Sequence, residues 1–461
     1  MATTQASTFR AASLYPSPSE ASLKLHFLGQ KIKDVQAPAA IVNAAVVRRN
    51  CRLMLETAEK LGVSFRAHVK THKTTEISEL QVGKDTKSVK LVASTVSEIE
   101  HLTPYLLKRK VRGDDVNVLY GLPLPPSAVP RLAAIARILG KGTVGLFADH
   151  PAHIKVLAEI PVWVNIDVGY HREGVPAGSK QLADIAYALA ASPKVTLGGI
   201  YTHYGLSYDV SSPEEALESM AKELRGLEEG AVAFLKSAGA NISSKRNASK
   251  VVLSLGATPT TTSIQNILEG TKIGSRYRDM IKMCAESFEV EFHGGVYLVM
   301  DMQQLATRAR PQHSANDPGQ SLLSFKDLGF RVLAEVASVY PDRSDTPEAL
   351  IAAGSIVLGR EPCKSYPGWG VITPWPAQDG PHYEPEGSKT GWIVGKVSQE
   401  HGNLRWEGPQ DNVRPLEVGE KVLVWPNHAC IAGVNFGWYL VVDSESDPET
   451  IVDVWVRWRG W

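Results

Sequence analysis

The sequence predicts an α/β protein with a (β/α)8 barrel of the TIM type, followed by a mainly antiparallel β domain. Three observations support this fold class. Short apolar runs of strand type alternate with longer segments whose apolar residues recur at helical spacing. Eight such strand–helix units occupy roughly 230 residues, which is the count and length of a barrel. Beyond Gly329 the apolar segments become short, rich in Val, Trp and Tyr, and separated by Pro, Gly and Asp turns.

The barrel begins after a first predicted helix, Ala44–Leu61. The eight predicted strands, in chain order, are Ser64–Lys70, Lys90–Ser94, Val116–Tyr120, Thr143–Ala148, Val162–Asp167, Leu197–His203, Val251–Leu255 and Phe288–Phe292. The helical segments between them include Val96–Leu107, Ala128–Leu139, Lys180–Ala191 and Pro213–Ala238. A doubly wound parallel sheet is the alternative, but no Gly-x-Gly-x-x-Gly sequence opens a helix after any of these strands.

The chain is predicted to have three parts. Residues 1–24, which are rich in Ser, Thr and Ala, are expected to be a flexible tail. Residues 25–328 form the barrel domain and residues 329–461 form the β domain. The predicted strands of the β domain are Phe330–Tyr340, Trp392–Ser398, Lys421–Trp425, Gly437–Val442 and Ile451–Trp458.

Composition narrows the class of partner. Lys plus Arg number 49 and Asp plus Glu number 49, so the net charge is zero and gives no general attraction to nucleic acid or an anionic membrane. No run approaches the ~20 apolar residues of a membrane span, and the N-terminus does not resemble a signal peptide. The four cysteines are few and far apart, which indicates reduced thiols. We expect a cytoplasmic protein with a small-molecule partner.

A lysine follows the first strand, at the end of the barrel where active sites lie. The strand leads into Arg66-Ala-His-Val-Lys70-Thr-His-Lys73. A lysine that leaves an apolar strand at the barrel mouth is poorly solvated, which favours the neutral amine that attacks a carbonyl. The alternative is a lysine whose side chain simply extends to solvent. Lys70 is therefore a candidate nucleophile, with Lys73 as its nearest competitor.

Polar and small residues follow four other strands. Arg172 stands between glycines after the fifth strand, and His203 and Tyr204 follow the sixth. Thr258 follows the seventh strand and Gly295 the eighth, where small residues with free backbone N–H groups form phosphate sites in this fold. The arginine could instead lie in a surface loop, and the histidine could be structural. A lysine nucleophile together with a phosphate site suggests pyridoxal phosphate.

The β domain contains a candidate metal pair in Pro426-Asn-His428-Ala-Cys430. In an extended chain two residues separated by one point to the same side, so an imidazole and a thiolate could reach one zinc ion. The spacing alone is a weak signal because structural zinc sites supply four ligands. A catalytic zinc ion keeps positions open for water and substrate, and this pair is compatible with one.

Several motifs together resemble one family. They are Arg66-Ala-His-Val-Lys70-Thr-His-Lys73, Asp167-Val-Gly-x-x-Arg172-x-Gly174, Tyr201-Thr-His203, Gly256-Ala-Thr258-Pro-Thr260 and Pro426-Asn-His428-x-Cys430. In these motifs the chain resembles the eukaryotic-type D-serine dehydratases, which are alanine racemase-like (fold-type III) pyridoxal phosphate enzymes with D-threonine aldolase as a relative. The resemblance covers nearly everything after Leu25.

The resemblance implies a role for each candidate residue. Lys70 would carry the cofactor and remove the substrate's α-proton, and zinc on His428 and Cys430 would assist loss of the β-hydroxyl group. Around the cofactor, Arg172 is implied to bind the phenolic oxygen, and His203 and Tyr204 are implied to lie beside the ring. Thr258, Gly295 and Val296 are implied to bind the phosphate. His293 stands where racemases place an arginine against the pyridine nitrogen.

The implied reaction converts D-serine to pyruvate and ammonia, in a homodimer. Three alternatives remain open. A metal-dependent aldolase of D-threonine or another 3-hydroxy amino acid would use the same barrel but resembles this motif with Asp in place of Cys430. An alanine racemase would need a second base that the sequence does not reveal. A non-catalytic pyridoxal phosphate carrier resembles the barrel alone and lacks the β domain.

Overall fold

The computed structural model describes residues 14–157, 160–239, 242, 250–270, 272–376, 378 and 380–461. Its strands are β1 (Ala39–Asn43), β2 (Ser64–His68), β3 (Ser88–Ala93), β4 (Asp115–Pro123), β5 (Val144–Ala148), β6 (Pro161–Asn165), β7 (Thr196–Tyr201), β8 (Val251–Leu255), β9 (Phe288–Gly294), β10 (Phe330–Tyr340), β11 (Glu348–Ile351), β12 (Gly370–Ile372), β13 (Gly391–Val397), β14 (Gly402–Glu407), β15 (Lys421–Pro426), β16 (Trp438–Val442) and β17 (Asp453–Val456). Its α-helices are α1 (Glu20–Phe27), α2 (Ala44–Leu61), α3 (Thr75–Val82), α4 (Val96–Val111), α5 (Val129–Leu139), α6 (Pro151–Lys155), α7 (Lys180–Ala191), α8 (Pro213–Ala238), α9 (Thr258–Ser263), α10 (Lys272–Ser287), α11 (Met302–Thr307), α12 (Ser355–Leu358) and α13 (Ala429–Ala432).

The predicted barrel is confirmed. Strands β2 to β9 follow one another around a closed barrel, and each pairs in parallel with its neighbours. All eight correspond to the predicted strands, although β2 ends at His68, so that Lys70 lies in the turn after the strand rather than at its last position. Helices α2, α7 and α8 have the predicted bounds.

The lower part of the barrel interior is filled by a network of buried charges. Arg66 donates through Nε and Nη2 to the two carboxylate oxygens of Glu291, at 2.6 and 3.2 Å. Lys90 Nζ lies 3.1 Å from the same carboxylate, and Asn117 Oδ1 accepts a hydrogen bond from Arg66 Nη1. Burial opposes the charge of Glu291, but Arg66 and Lys90 lower its pKa to about 2. This network closes the barrel beneath the site.

The β domain is one nine-stranded sheet with the order β11-β14-β13-β12-β15-β10-β1-β16-β17. Because β10 also pairs with β11, six of these strands close on themselves. Most pairs are antiparallel, as predicted, but β1 pairs in parallel with β16. Four strands of this sheet were not predicted: β1, β11, β12 and β14. Strand β1 precedes the barrel in the chain, so residues 39–43 belong to the sheet of the β domain.

The first described part of the chain is helical within the predicted flexible tail. Helix α1 begins after Ser19, whose side chain accepts a hydrogen bond from the backbone N–H of Ser22. Lys24 lies 2.8 Å from Asp453 of β17, which places α1 against the β domain. Residues 1–13 of the predicted tail lie outside the described residues. Of the helices in the described ranges, none has the length and apolar character needed to cross a membrane.

Replacing Glu291 with Gln should destabilise the barrel strongly. The amide would leave the buried charge of Arg66 without its counter-ion, whereas Lys90 would keep only the more exposed Glu289, and such losses cost about 3–5 kcal/mol. Urea denaturation measures the free energy of unfolding. Glu289→Gln is the matched control, because Glu289 lies on the same strand and pairs with Lys90 but is 37% exposed; its loss should cost less than about 1 kcal/mol. Equal losses for the two variants would contradict the proposed network.

Candidate active site

A cavity of about 480 Å³ opens at the carboxyl ends of the barrel strands. Nine of the ten residues predicted from the sequence line it: Lys70, Arg172, His203, Thr258, His293, Gly295, Val296, His428 and Cys430. The last two belong to the β domain and the others to the barrel. One chain therefore supplies the lysine and the candidate metal ligands to the same cavity.

Lys70 enters the cavity from a fixed turn after β2. The backbone N–H of Lys70 donates to His68 Nδ1 at 3.3 Å, and that of Lys73 donates to the carbonyl of Val69 at 2.9 Å. Lys73, the competing lysine, is engaged elsewhere, since its Nζ lies 2.9 Å from a carboxylate oxygen of the buried Glu98. Lys70 is thus the member of the motif whose amino group is presented to the cavity.

The wall beside this turn is built from the turns after β8 and β9, since β9 is the barrel neighbour of β2. Gly256 has a φ of +152°, and a Cβ there would lie 2.1 Å from the carbonyl oxygen of His293, so only glycine fits. Thr261 donates its hydroxyl to the same carbonyl at 2.6 Å. These contacts bring Thr258 and Gly295, which both line the cavity, to adjacent positions. The arrangement suits a phosphate group held by small residues.

A buried glutamate that the sequence analysis missed organises this wall. Glu223 of α8 is fully buried and accepts hydrogen bonds from the backbone N–H groups of Tyr204 and Gly256, at 3.0 and 2.9 Å. Its other oxygen accepts from the Thr260 hydroxyl at 2.8 Å. Burial raises the pKa of Glu223 to about 7, although the three hydrogen-bond donors act to lower it. Glu223 therefore joins the turn after β7 to the turn after β8.

Three histidines face the cavity as neutral rings. Burial is the main cause that lowers the pKa of His68, His203 and His293 well below the usual value. The charges of Lys70 and Arg172 add to this effect at all three rings, and Arg66 adds to it at His293. Because each ring is neutral at physiological pH, each has one nitrogen that donates and one that accepts.

Two of these rings are fixed by hydrogen bonds. His203 Nδ1 lies 2.7 Å from the carbonyl of Gly256. His293 Nδ1 lies 3.1 Å from the Ser254 hydroxyl, and the His293 ring stacks on Tyr201 with centroids 4.2 Å apart. Nε2 of His293 is buried and has no hydrogen-bond partner among the described residues. A bound ring with a nitrogen atom in this cavity would satisfy it.

Arg172 reaches the cavity from a turn that glycine makes possible. The Asp167 carboxylate accepts the N–H groups of Gly169 and His171, at 2.9 and 3.0 Å. A Cβ at Gly174 would lie 2.8 Å from the backbone nitrogen of Asp167. The Arg172 side chain is 42% exposed, and its Nη2 lies 2.6 Å from Glu173. Its charge is therefore placed at the rim of the cavity.

Tyr204 is the one predicted residue that does not line the cavity. Its hydroxyl accepts a hydrogen bond from Lys222 at 2.9 Å, and its backbone donates to Glu223. The ring of Tyr204 packs toward α8, with Lys222 Nζ 5.2 Å from the ring centroid. Tyr208, four residues later, lines the cavity instead and bonds through its hydroxyl to Thr258. No sequence motif marks Tyr208.

The metal pair has a different backbone from the one predicted. The chain is extended at His428, but α13 begins at Ala429, so Cys430 lies in a helical turn. Both side chains still line the cavity. Burial opposes the charge on both, yet their mutual hydrogen bond and charges raise the pKa of His428 to about 9 and lower that of Cys430. The thiol is therefore readily ionised, as a metal ligand must be.

Neighbouring groups hold this pair in place. Thr71 Oγ1 lies 3.1 Å from Cys430 Sγ, and the backbone N–H of Ala429 donates to the buried carboxylate of Asp301 at 2.9 Å. Asn427 donates through its side chain to two backbone carbonyls, of Glu361 and Gly368. His428 Nδ1 is buried without a hydrogen-bond partner among the described residues.

The donor types suit zinc, with an imidazole nitrogen and a thiolate on one side of the cavity. Across the part of the chain that the structure describes, no group of three or more His, Cys, Asp or Glu side chains is arranged around one metal position. A zinc ion here would therefore have two protein ligands and would need water or substrate for the remaining positions.

Comparisons with known proteins find relatives of both domains. The model of the alanine racemase N-terminal domain matches residues 42–266, and that of the putative serine dehydratase domain matches residues 329–442. D-serine dehydratase of Schizosaccharomyces pombe is 31% identical over 97% of both chains, and D-serine dehydratase of Saccharomyces cerevisiae is 29% identical over 94% of this chain and 98% of its own. The solved structure of D-threo-3-hydroxyaspartate dehydratase from Delftia sp. HT23 superposes with a TM-score of 0.69 at 22% identity, covering 94% of this chain and all of that one.

A barrel with a lysine at its mouth and a β domain over the same cavity defines the alanine racemase-like, fold-type III class of enzyme, which implies pyridoxal phosphate as cofactor. Within this class, the two D-serine dehydratases above are about 30% identical to this chain over nearly its full length. The chain belongs to the D-serine dehydratase family and is a carbon–nitrogen lyase.

Replacing Glu223 with Ala should weaken binding of pyridoxal phosphate at least about tenfold, because three buried donors would lose their acceptor and the turn carrying Thr258 would loosen. Glu223→Gln should stay within about threefold of the wild type, since the amide oxygen can accept both N–H groups and the amide nitrogen can donate to Thr260. Titration of the apoenzyme, followed by cofactor absorbance, measures the affinity.

Glu218→Ala is the matched control for Glu223, because Glu218 lies on the same helix but its side chain is 53% exposed. It should leave cofactor affinity unchanged. If Glu223→Ala binds the cofactor as well as Glu218→Ala does, Glu223 has no part in forming the site.

Proposed function

We propose that this protein is a pyridoxal phosphate- and zinc-dependent D-serine dehydratase that releases pyruvate and ammonia. The observation that carries the proposal is that one cavity receives Lys70 from the barrel and both His428 and Cys430 from the β domain. A lyase that removes a β-hydroxyl group needs a base at Cα and a group that assists the departing hydroxide. Lys70 would be the base, and a zinc ion held by His428 and Cys430 would supply the Lewis acid.

The residues present fit pyridoxal phosphate. Lys70 can hold its aldehyde carbon, the wall formed by Thr258 and Gly295 can hold its phosphate, and His293 Nε2 is a buried nitrogen without a partner among the described residues. When bound, the cofactor supplies a conjugated ring that accepts electrons from Cα. Lys70 Nζ is then the base that takes the α-proton of the substrate. Arg172, at the rim, contributes a positive charge toward the bound anionic groups.

The residues also fit a zinc ion with open positions. Nδ1 of His428 is buried without a hydrogen-bond partner in the part of the chain that the structure describes, and the lowered pKa of Cys430 favours the thiolate. Zinc would act there as a Lewis acid on the β-hydroxyl group. A cysteine variant of D-threo-3-hydroxyaspartate dehydratase is described in a metal-free form, which supports a metal-binding role for a cysteine in that relative.

The site is assembled within one chain. A dimer, which the family resemblance leads us to propose, is therefore not required to bring His428 next to Lys70. Thr71 and Asp301 provide the contacts between the domains that fix the position of the metal pair.

Borohydride reduction followed by peptide mapping should place the pyridoxyl group on Lys70. Lys73 is the internal control, because its ion pair with Glu98 keeps its amino group away from the cavity. Lys70→Ala should reduce D-serine turnover by at least about 10³-fold, because both the attachment and the base are removed. A pyridoxyl group on Lys73, or residual turnover close to that of the wild type, would overturn the assignment.

Chelation should abolish D-serine dehydration, and added zinc should restore it. Cys430→Ala and His428→Ala should remain inactive with zinc but should keep the cofactor absorbance, since Lys70 and the phosphate wall belong to the barrel. Cys363→Ala is the matched control: Cys363 is a buried thiol of the same domain that bonds to the Met302 carbonyl and Ser365. It should retain zinc-dependent activity, which a coupled assay of pyruvate measures.

The same assay with D-threonine separates a dehydratase from an aldolase. Elimination gives 2-oxobutanoate and ammonia, whereas cleavage of the Cα–Cβ bond gives glycine and acetaldehyde. Glycine as the main product would show that the enzyme is an aldolase. A much higher kcat/KM for a D-3-hydroxyaspartate than for D-serine would instead keep the reaction and change the substrate.

A further inference from the structure

The segment that follows β17, residues 457–461, crosses from the β domain to the barrel. The backbone N–H of Trp458 donates to the carbonyl of Lys73 at 2.7 Å. The hydroxyl of Ser97, in the first turn of α4, donates to the carbonyl of Arg459 at 2.6 Å. The segment is therefore fixed to the barrel at the end of the turn that follows β2.

The first residue of this segment, Arg457, is an arginine in the interior. Its side chain is buried, and its Nε donates to the carbonyl of His72 at 3.1 Å. Its Nη1 donates to the carbonyl of Gly433 and lies 3.3 Å from that of Phe436. A guanidinium holds its N–H groups in a fixed plane, so these contacts connect two segments of the backbone through one rigid group.

The two connected segments carry the two halves of the candidate site. His72 lies two residues after Lys70, and Gly433 follows the last residue of α13, three residues after Cys430. A second contact joins the same segments, because Thr71 Oγ1 lies 3.1 Å from Cys430 Sγ. That contact uses the thiol itself, whereas the guanidinium holds the backbone and leaves the thiol available to a metal ion.

The partners of Arg457 differ from those of two other buried arginines. Arg66 and Arg109 form ion pairs with carboxylates, those of Glu291 and Asp114. The acceptors of Arg457 named above are all backbone carbonyls, and in the described ranges no carboxylate forms an ion pair with it. The charge of Arg457 therefore acts on the positions of backbone segments.

We infer that Arg457 is a positioning residue of the lyase, which fixes the distance from the Lys70 amino group to the metal pair, His428 and Cys430. The inference rests on the proposed function, because only a reaction that uses both groups depends on their separation. Lys70 takes a proton from Cα, and the metal pair must hold its ion at the hydroxyl group on the adjacent carbon. Binding of the cofactor or of zinc alone requires only one side of the cavity.

Replacing Arg457 with Met should lower kcat for D-serine at least about tenfold in the holoenzyme at saturating zinc, because small misplacements of reacting groups are costly. KM should stay within about threefold. The affinities for pyridoxal phosphate and for zinc, titrated into the cofactor-free and the metal-free protein, should also stay within about threefold. Arg459→Met is the matched control, since Arg459 is exposed and its Nη2 lies 3.4 Å from one carbonyl, that of Asn435; its kcat should stay within about twofold.

Arg457→Lys provides a second variant if Arg457→Met does not fold. Lysine keeps the charge but cannot bridge both segments with one rigid group, so kcat should again fall at least about tenfold. A lower melting temperature with unchanged kcat in the folded holoenzyme would overturn the inference, because the role would be structural alone. Equal losses of kcat and of both affinities, or failure of both variants to fold, would overturn it for the same reason. If the wild type does not eliminate D-serine, the proposed function fails before any variant is compared, and the inference fails with it.

Discussion

The turn that follows β2, residues 70–73, is the constraint on which the rest of the site depends. Its four side chains make four different contacts, since Lys70 faces the cavity, Thr71 contacts Cys430, His72 lies 2.8 Å from Gln81, and Lys73 pairs with Glu98. The C-terminal end of the chain also holds the turn, through hydrogen bonds to the carbonyls of residues 72 and 73. The lysine and the candidate metal ligands therefore keep a fixed separation, because one short segment contacts both.

The chain connects the two domains twice, once before the barrel and once after it, which makes the distance between Lys70 and the metal pair rigid. Strand β1 lies between β10 and β16 in the sheet of the β domain, and α2 follows it directly and leads into the barrel. The Asn43 side chain joins the two parts, since it accepts from the first turn of α2 and from the backbone of Ser444. A sheet that includes β1, the strand directly before α2, cannot move away from the barrel without breaking a strand. The cavity between the domains is consequently a stable feature of one chain.

The sequence predicts the barrel well because parallel strands buried on both faces appear as continuous apolar runs. It misses β1, β11, β12 and β14 because these strands lie outside the repeating strand–helix pattern and are formed by long-range pairing within the sheet of the β domain. Among the site residues, motifs identify Lys70 and Cys430, whereas Tyr204 and Tyr208 could be distinguished only by the path of the chain. Glu223 did leave a signal: it falls at helical spacing within the apolar positions of α8, where a carboxylate needs partners.

The buried polar groups of this protein are satisfied in different ways, and the differences indicate function. Glu291 forms ion pairs with Arg66 and Lys90, and Glu223 accepts hydrogen bonds from three donors. Groups of the protein itself therefore satisfy both carboxylates. His293 Nε2 has no such partner among the described residues, and His293 lies in the wall of the catalytic cavity. An open hydrogen-bonding position costs about 1–3 kcal/mol when it is buried. A fold that retains such a position beside a cavity is stabilised when a ligand fills it, which links the electrostatics of the interior to binding.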